Sequence, residues 1–369
     1  MEKVAILGAG NGGCAAAVEL SLKGYDVAIF DLFPKVLEPI IKQGGLYYTG
    51  AIGEGFCKLA LISDDIEAVI EGAALIMMNV PGPGHEAYAK ALAPYLRAGD
   101  LILMNPGHTG GALHFSRVLR NLDVPQPIIV CETNTLSYIS RIVEPGKVKV
   151  SSYDKSVLFS VLPGRFQEKA VAKVSHFFPS MVPVESVFVT SLSNINAICH
   201  PAGMILNAGW IENTDGNFRF YYDGITPTVA KVIDELDQER MRIGKKLGVE
   251  LMNFSELFYS VGSTSREAAL ANSAYQACQD SEPNKFIKTP ERLDHRYMHE
   301  DINSGILPMS FLGRLAGIPT PVIDAFIELA CVLMDRDYWS EGLNLDRMGL
   351  GGMDSAQANN AIYEGFFYE

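Results

Sequence analysis

The chain has 369 residues, of which 48% are hydrophobic and 20% charged, enough apolar material for more than one core and too little charge for a disordered chain. Its formal net charge of −13 argues against a nucleic-acid partner, because phosphate binding needs a basic face. An anionic small molecule remains compatible, held by local arginines and helix N-termini against the global field. In chain order, Lys3–Leu7 predicts a strand, Asn11–Lys23 an alanine-rich helix stopped by Gly24, Asp26–Phe30 a strand and Pro34–Gln43 a helix. Residues 75–80, 101–104, 128–131 and 157–162 are further apolar runs of strand length. Residues 138–143 and 147–151, split by Pro145-Gly146, predict a hairpin near the sheet edge. Strands alternating with helices imply βαβ units and a parallel sheet. From about Ser191 the pattern turns helical, over residues 202–212, 226–247, 266–277 and 321–334.

These patterns predict an α/β protein with an N-terminal Rossmann dinucleotide-binding domain over residues 1–190 and an all-helical domain over 191–369. No apolar run approaches the roughly 18 residues of a membrane span, and the first strand is too short for a secretory signal, so no membrane partner is expected. The six cysteines are scattered, with no CxxC pair and no zinc spacing. They read as reduced thiols in the cytoplasm, and no metal is expected.

Gly8, Gly10 and Gly13 form G-x-G-x-x-G between a predicted strand and a predicted helix, the context that gives the motif its meaning. Gly8 permits the tight turn, Gly10 a close backbone approach to a pyrophosphate, and Gly13 close packing of helix on strand. Asn11 and Gly12 complete the turn, whose free N–H groups favour an anion. Asp31 ends the second strand, where a carboxylate accepts from a ribose 2′-OH and repels a 2′-phosphate. NAD is therefore expected, with NADP as the alternative because Lys35 is near in sequence. Val80 and Pro81, and Asn105 and Gly107, lie in Pro/Gly-rich loops after later strands, where ligands of a doubly wound sheet sit.

Hydride transfer to a carbonyl or imine needs a proton donor, and histidine suits it. Of seven histidines, His200 stands out. It lies among Asn194, Asn196 and Asn207 in an apolar stretch, and Pro201 predicts that His200 sits at a helix interruption with a new helix starting at the proline. His108 is the rival, in a glycine-rich loop after a strand. The stretch His295-Arg296-Tyr297-Met298-His299-Glu300-Asp301 is the second polar cluster, with an Arg suited to a carboxylate and an Asp suited to orienting a His. The His295/His299 pair has the spacing to bind metal on a helix, but a surface pair is the simpler reading.

Together, Asn105-Pro106-Gly107-His108-Thr109-Gly110-Gly111, His200-Pro201, Phe220-Tyr221-Tyr222-Asp223-Gly224, Asp237-Gln238-Glu239-Arg240, Arg296-Tyr297 with Glu300-Asp301, and Gly305-Ile306-Leu307-Pro308 resemble the opine dehydrogenases, in particular their bacterial carboxylethyl-norvaline type. The resemblance runs over nearly the whole chain. It implies NADH-driven condensation of a 2-oxo acid such as pyruvate with an amino acid. It also implies that His200 is the catalytic histidine, Asp301 its carboxylate partner and Arg296 the group that binds the 2-oxo acid; Asn207 and Tyr222 are expected as further substrate contacts. The segment 203–216 departs from the family pattern, which leaves the choice of amino acid open. A homodimer is expected, with the aromatic tail Ala361–Glu369 as its contact. Two rival readings are a hydroxy-acid dehydrogenase, disfavoured by the lack of a catalytic lysine near Ser191–Gly209, and a non-catalytic NAD sensor.

Overall fold

A computed structural model describes residues 1–153 and 156–366, which gather into two compact units. The first comprises Met1–Gly107, Gly111–Val187 and the described tail from Ala361; the second comprises His108–Gly110 and Phe188–Asn360. Two exchanges escape the linear pattern. The tripeptide His108–Gly110 belongs with the helical unit, and the C-terminal tail returns to the first.

The strands of the first unit are β1 (Lys3–Leu7), β2 (Asp26–Phe30), β3 (Gly45–Gly50), β4 (Gly55–Lys58), β5 (Leu61–Ile62), β6 (Leu75–Met78), β7 (Leu101–Met104), β8 (Ile129–Thr133), β9 (Ile139–Glu144), β10 (Lys147–Ser152), β11 (Leu158–Leu162) and β12 (Val182–Pro183). The main sheet runs β12-β11-β8-β7-β6-β1-β2-β5. It is parallel apart from the β11–β8 pair. The Leu-Ile-Met-Met of β6 and Leu-Ile-Leu-Met of β7 are buried at every position, as strands covered on both faces must be. Because β1 lies between β2 and β6, the order reverses there, and that switch point is where an open α/β sheet binds ligands.

The predicted hairpin forms, as β9 and β10, but not at the edge of this sheet. It joins β3 and β4 in a second sheet of order β4-β3-β10-β9. The reason is close backbone contact that the linear pattern concealed: a Cβ on Gly50 would lie 2.2 Å from the Val150 carbonyl oxygen, so glycine lets β3 pair with β10. The helix α1 (Asn11–Leu22) is buried from Gly12 to Leu20, including Ala15, Ala16 and Ala17. Small side chains let it pack closely, and Ser140 Oγ donates to the Asn11 carbonyl at 2.9 Å to tie β9 to its first turn.

The second unit is built from helices. Thr226 caps the 21-residue helix Pro227–Leu247, with proline at its start and Gly248 in the left-handed conformation at its end. Residues 266–277 form two short helices rather than one, separated at Asn272, whose φ is +48°. Residues 202–212 likewise divide between the helices Ile195–Ile205 and Ala208–Thr214. The Asp237-Gln238-Glu239-Arg240 motif is structural. Fully buried Arg240 donates through Nε to Asp237 at 2.9 Å and through Nη1 to the Leu192 carbonyl at 2.8 Å. Glu239 accepts from the Val322 and Ile323 amides, both at 2.9 Å, and so caps the helix Pro321–Met334.

Candidate active site

The glycine turn after β1 shows its purpose in what each missing Cβ would meet. On Gly13 a Cβ would stand 1.7 Å from the Gly8 carbonyl oxygen, so helix and strand could not approach. Gly8 has φ +94°, and its Cβ would stand 2.7 Å from the Asn79 carbonyl. At Gly10, φ is ordinary and a Cβ would meet nothing within 4 Å of the chain. The space that Gly10 leaves therefore serves no packing within the protein, which fits a ligand approaching the backbone. Gly10 is also the N-cap of α1 with no side-chain cap bond, leaving the first-turn N–H groups for an anion.

Asp31 accepts from the Ala9 amide at 2.7 Å and the Phe33 amide at 2.9 Å, holding the turn in shape with its carboxylate buried. Burial and the Asp31 charge push the Cys14 thiol up to about 12, so it is inert. Asn11 accepts from the Ile142 amide through Oδ1. Asn105 links Asn79, Thr133 and Ser137 through its side chain, an internal role rather than an open one. Asn79, which the sequence did not single out, keeps a buried Nδ2 without a hydrogen-bond partner beside the glycine turn. An orphaned donor there suits a bound polar group. Val80 is buried, with a methyl against the Gly8 position, while Pro81 is exposed. Gly107 has no room for a side chain, since a Cβ would lie 2.3 Å from Glu132. When bound, a nicotinamide dinucleotide supplies a hydride.

In the helical unit, His200 Nδ1 lies 2.8 Å from Asp301 Oδ2, and His200 Nε2 lies 3.2 Å from Tyr221 Oη. The imidazole stacks on Tyr297 at 3.6 Å between ring centres and meets the edge of Phe220 at 5.8 Å. His200, Asp301 and Tyr221 are all buried. Burial, then the neighbouring Tyr297, holds the Tyr221 phenol well above its ordinary range, so it stays protonated. In a neutral ring, Nδ1–H donates to the Asp301 carboxylate, which leaves Nε2 to accept from the Tyr221 hydroxyl.

Two glycines bring these residues together. A Cβ on Gly305 would lie 2.6 Å from Ala197 Cβ, so glycine lets the turn after Asp301 press on the His200 helix. A Cβ on Gly203 would lie 2.4 Å from Phe220 Cζ, so glycine seats the aromatic turn. His200 is not at an interruption. The helix Ile195–Ile205 runs through it and Pro201, because the proline removes a single N–H and the surrounding core holds the remainder.

Two of the expected substrate contacts have partners within the protein. Phe220–Gly224 forms a π turn that points Tyr221 inward to His200 and leaves Tyr222 part-exposed under the Arg219 guanidinium, 5.1 Å from the ring centre. Asn207 donates to the Gly203 and Gly224 carbonyls at 2.8 and 3.0 Å, so its amide hydrogens secure that turn. Arg296 is exposed and donates through Nε to Glu300 at 2.9 Å. His108 Nε2 lies 2.9 Å from the other oxygen of Glu300. His295 caps its own helix by accepting from the Tyr297 amide, and His299 pairs with Asp294 at 2.6 Å and Tyr338 at 2.9 Å. Among the described residues no group of three or more His, Cys, Asp or Glu is placed to hold a metal ion.

A Rossmann unit with an open glycine turn and a helical unit holding a buried His–Asp pair define a nicotinamide-dependent dehydrogenase. The family model for the NAD/NADP octopine/nopaline dehydrogenase alpha-helical domain matches residues 183–334. That for the NAD-binding domain of 6-phosphogluconate dehydrogenase matches residues 3–107. An opine dehydrogenase of Arthrobacter sp. (strain 1C) is 34% identical over 97% of this chain and 98% of its own. Octopine dehydrogenase of Mizuhopecten yessoensis is 23% identical over 92% of each. The structure of octopine dehydrogenase with NADH and agmatine superposes with a TM-score of 0.80 at 20% identity, covering 100% of this chain and 99% of that one, which establishes the fold. The chain belongs to the octopine/nopaline dehydrogenase family, as an NAD(P)-dependent oxidoreductase acting on a CH–NH bond.

Proposed function

We propose that this chain joins the amino group of an amino acid to a pyruvate-like 2-oxo acid, with His200 as the acid–base group, Asp301 as its orienting partner and Arg296 as the carboxylate clamp. The observation that supports this most is the Asp301–His200 contact, with Arg296 five residues before Asp301 and exposed. Attack of the amine on the 2-oxo carbon expels water and leaves an imine, whose carbon takes the hydride. His200 takes a proton onto Nε2 from the attacking amine and returns it to the departing oxygen or to the nitrogen, and Asp301 stabilises the imidazolium while it is charged. Arg296 binds the carboxylate through its fork, so that the 2-oxo carbon is presented in one orientation.

Asp31 favours NAD over NADP, because its buried carboxylate opposes a 2′-phosphate. Six free thiols suit the reducing cytoplasm. Among the described residues no helix is long and apolar enough to cross a membrane. For the homodimer, the tail contact remains part of the reading, although residues 367–369 lie outside the described residues; sedimentation with and without the tail tests it.

The test of function follows NADH absorbance with pyruvate, with and without a mixture of amino acids, and repeats it with NADPH. Oxidation that needs both substrates supports the reading. Oxidation with pyruvate alone would move the chain to the hydroxy-acid dehydrogenases, and oxidation faster with NADPH would overturn the role given to Asp31.

A further inference from the structure

We infer that Glu300 is a positioning residue for the 2-oxo acid: its buried carboxylate, seated between His108 and Arg296, fixes the orientation in which Arg296 meets substrate. The inference rests on the clamp reading of Arg296. Glu300 contacts both groups at once, Oε1 at 2.9 Å from His108 Nε2 and Oε2 at 2.9 Å from Arg296 Nε. Its side chain is 4% exposed, that of His108 9%, and that of Arg296 61%. The carboxylate and imidazole are therefore the fixed end of the chain and the guanidinium is the free end.

His108 is itself held firmly. It adopts φ +60°, in the left-handed region that few non-glycine residues occupy. Bonds on the next two residues hold it. The Thr109 amide donates to the Ser304 carbonyl at 2.9 Å, Asn194 donates to Thr109 Oγ1 at 3.3 Å, and the Gly110 amide donates to Ser191 Oγ at 3.0 Å. A carboxylate braced this way binds the side of the guanidinium at Nε. It leaves the Nη1/Nη2 edge, which alone can make a second two-pronged contact with a carboxylate.

Two effects of Glu300 oppose each other. Its negative charge partly neutralises Arg296 and weakens attraction for a substrate anion, while its bond removes the rotamer freedom that an exposed arginine would lose on binding. The first is screened by the water around Arg296, and the second is not. Orientation therefore dominates, and losing Glu300 weakens binding of the 2-oxo acid.

Pyruvate is varied at saturating NADH and saturating amino acid, using the amino acid that supports the fastest turnover. Glu300→Gln is expected to raise KM for pyruvate about tenfold, or about 1.4 kcal/mol. Its kcat should stay within about twofold, with KM for the amino acid and for NADH unchanged. Glu300→Asp keeps the charge but withdraws it by one methylene, and is expected to change KM in the same direction. It carries the test if the glutamine variant does not fold; if neither folds, the residue is structural and the inference falls. An unchanged or lower KM for pyruvate overturns it, as does a loss confined to kcat. Arg296→Ala separates the two readings. If it leaves KM for pyruvate unchanged, the clamp itself is wrong; if it raises KM while Glu300→Gln does not, only the role of Glu300 is lost.

Discussion

In the glycine turn, the groups that set the geometry are backbone, and they come from a few consecutive residues: Gly8, Gly10 and Gly13 act by what they lack. Around His200 the geometry is set by side chains, and the partners come from far along the chain, Tyr221 twenty-one residues away and Asp301 101 away. A backbone-built site tolerates no added atom where chain meets chain, at Gly8 and Gly13, but needs no particular partner. A site built from side chains needs its partners present and each one seated by a core, which is why Gly203 and Gly305 matter to it as much as any polar group.

Four substitutions can break or sharpen this contrast. Gly13→Val should abolish NADH binding measured by fluorescence titration, because even its Cβ would stand 1.7 Å from the Gly8 carbonyl. Retained NADH affinity would show that the turn yields more than close packing allows. His200→Ala should lower kcat by about 10²–10⁴ while NADH affinity stays within about twofold. A variant with full activity would remove the acid–base role and revive the non-catalytic reading. Asp301→Asn preserves shape but removes the charge that holds Nδ1–H, and should lower kcat by about tenfold to a hundredfold with the pH optimum displaced. If kcat and its pH profile are both unchanged, the 2.8 Å contact is structural only.

Tyr221→Phe should have the smallest effect near neutral pH, lowering kcat less than about tenfold because the phenol supports the imidazole rather than charging it. Its clearer signature lies in alkaline stability. Burial raises the Tyr221 phenol above its ordinary value of 10.0, so the folded chain keeps a proton that the unfolded chain releases. The stabilisation is complete below pH 10 and is lost as pH rises through the folded value. The phenylalanine variant should therefore lose stability less steeply above pH 10, as read by thermal unfolding across pH. Equal slopes for the two proteins would show that Tyr221 ionises freely.

The parallel sheet was legible because β1, β2 and β7 announce themselves by local apolar runs between glycine or proline stops. The sheet of β3 and β4 was not, because those strands carry little apolar alternation and form only where Gly50 lets a distant strand approach. The His–Asp pair was reached through resemblance, not through spacing, since nothing within either segment indicates the other. Tyr221 carried no signal that set it apart from Tyr222, because adjacent residues in an aromatic run look alike until a π turn gives each its direction. Glu300 carried no signal of its own, as an acidic residue in a charged turn ordinarily faces water.

By itself, the sequence determined the strand–glycine turn–helix–strand succession at the start of the chain, the helical second half, and the residue types available for proton transfer and carboxylate binding. These follow from backbone conformation and periodicity, which consecutive residues dictate. Only the tertiary structure decided that His200 lies within a helix, that Tyr221 rather than Tyr222 reaches it, that Asn207 is occupied by carbonyls, and that Glu300 joins His108 to Arg296. Each of those depends on which buried polar groups find one another across the fold, and burial is settled by the packing of the whole unit rather than by any stretch of it.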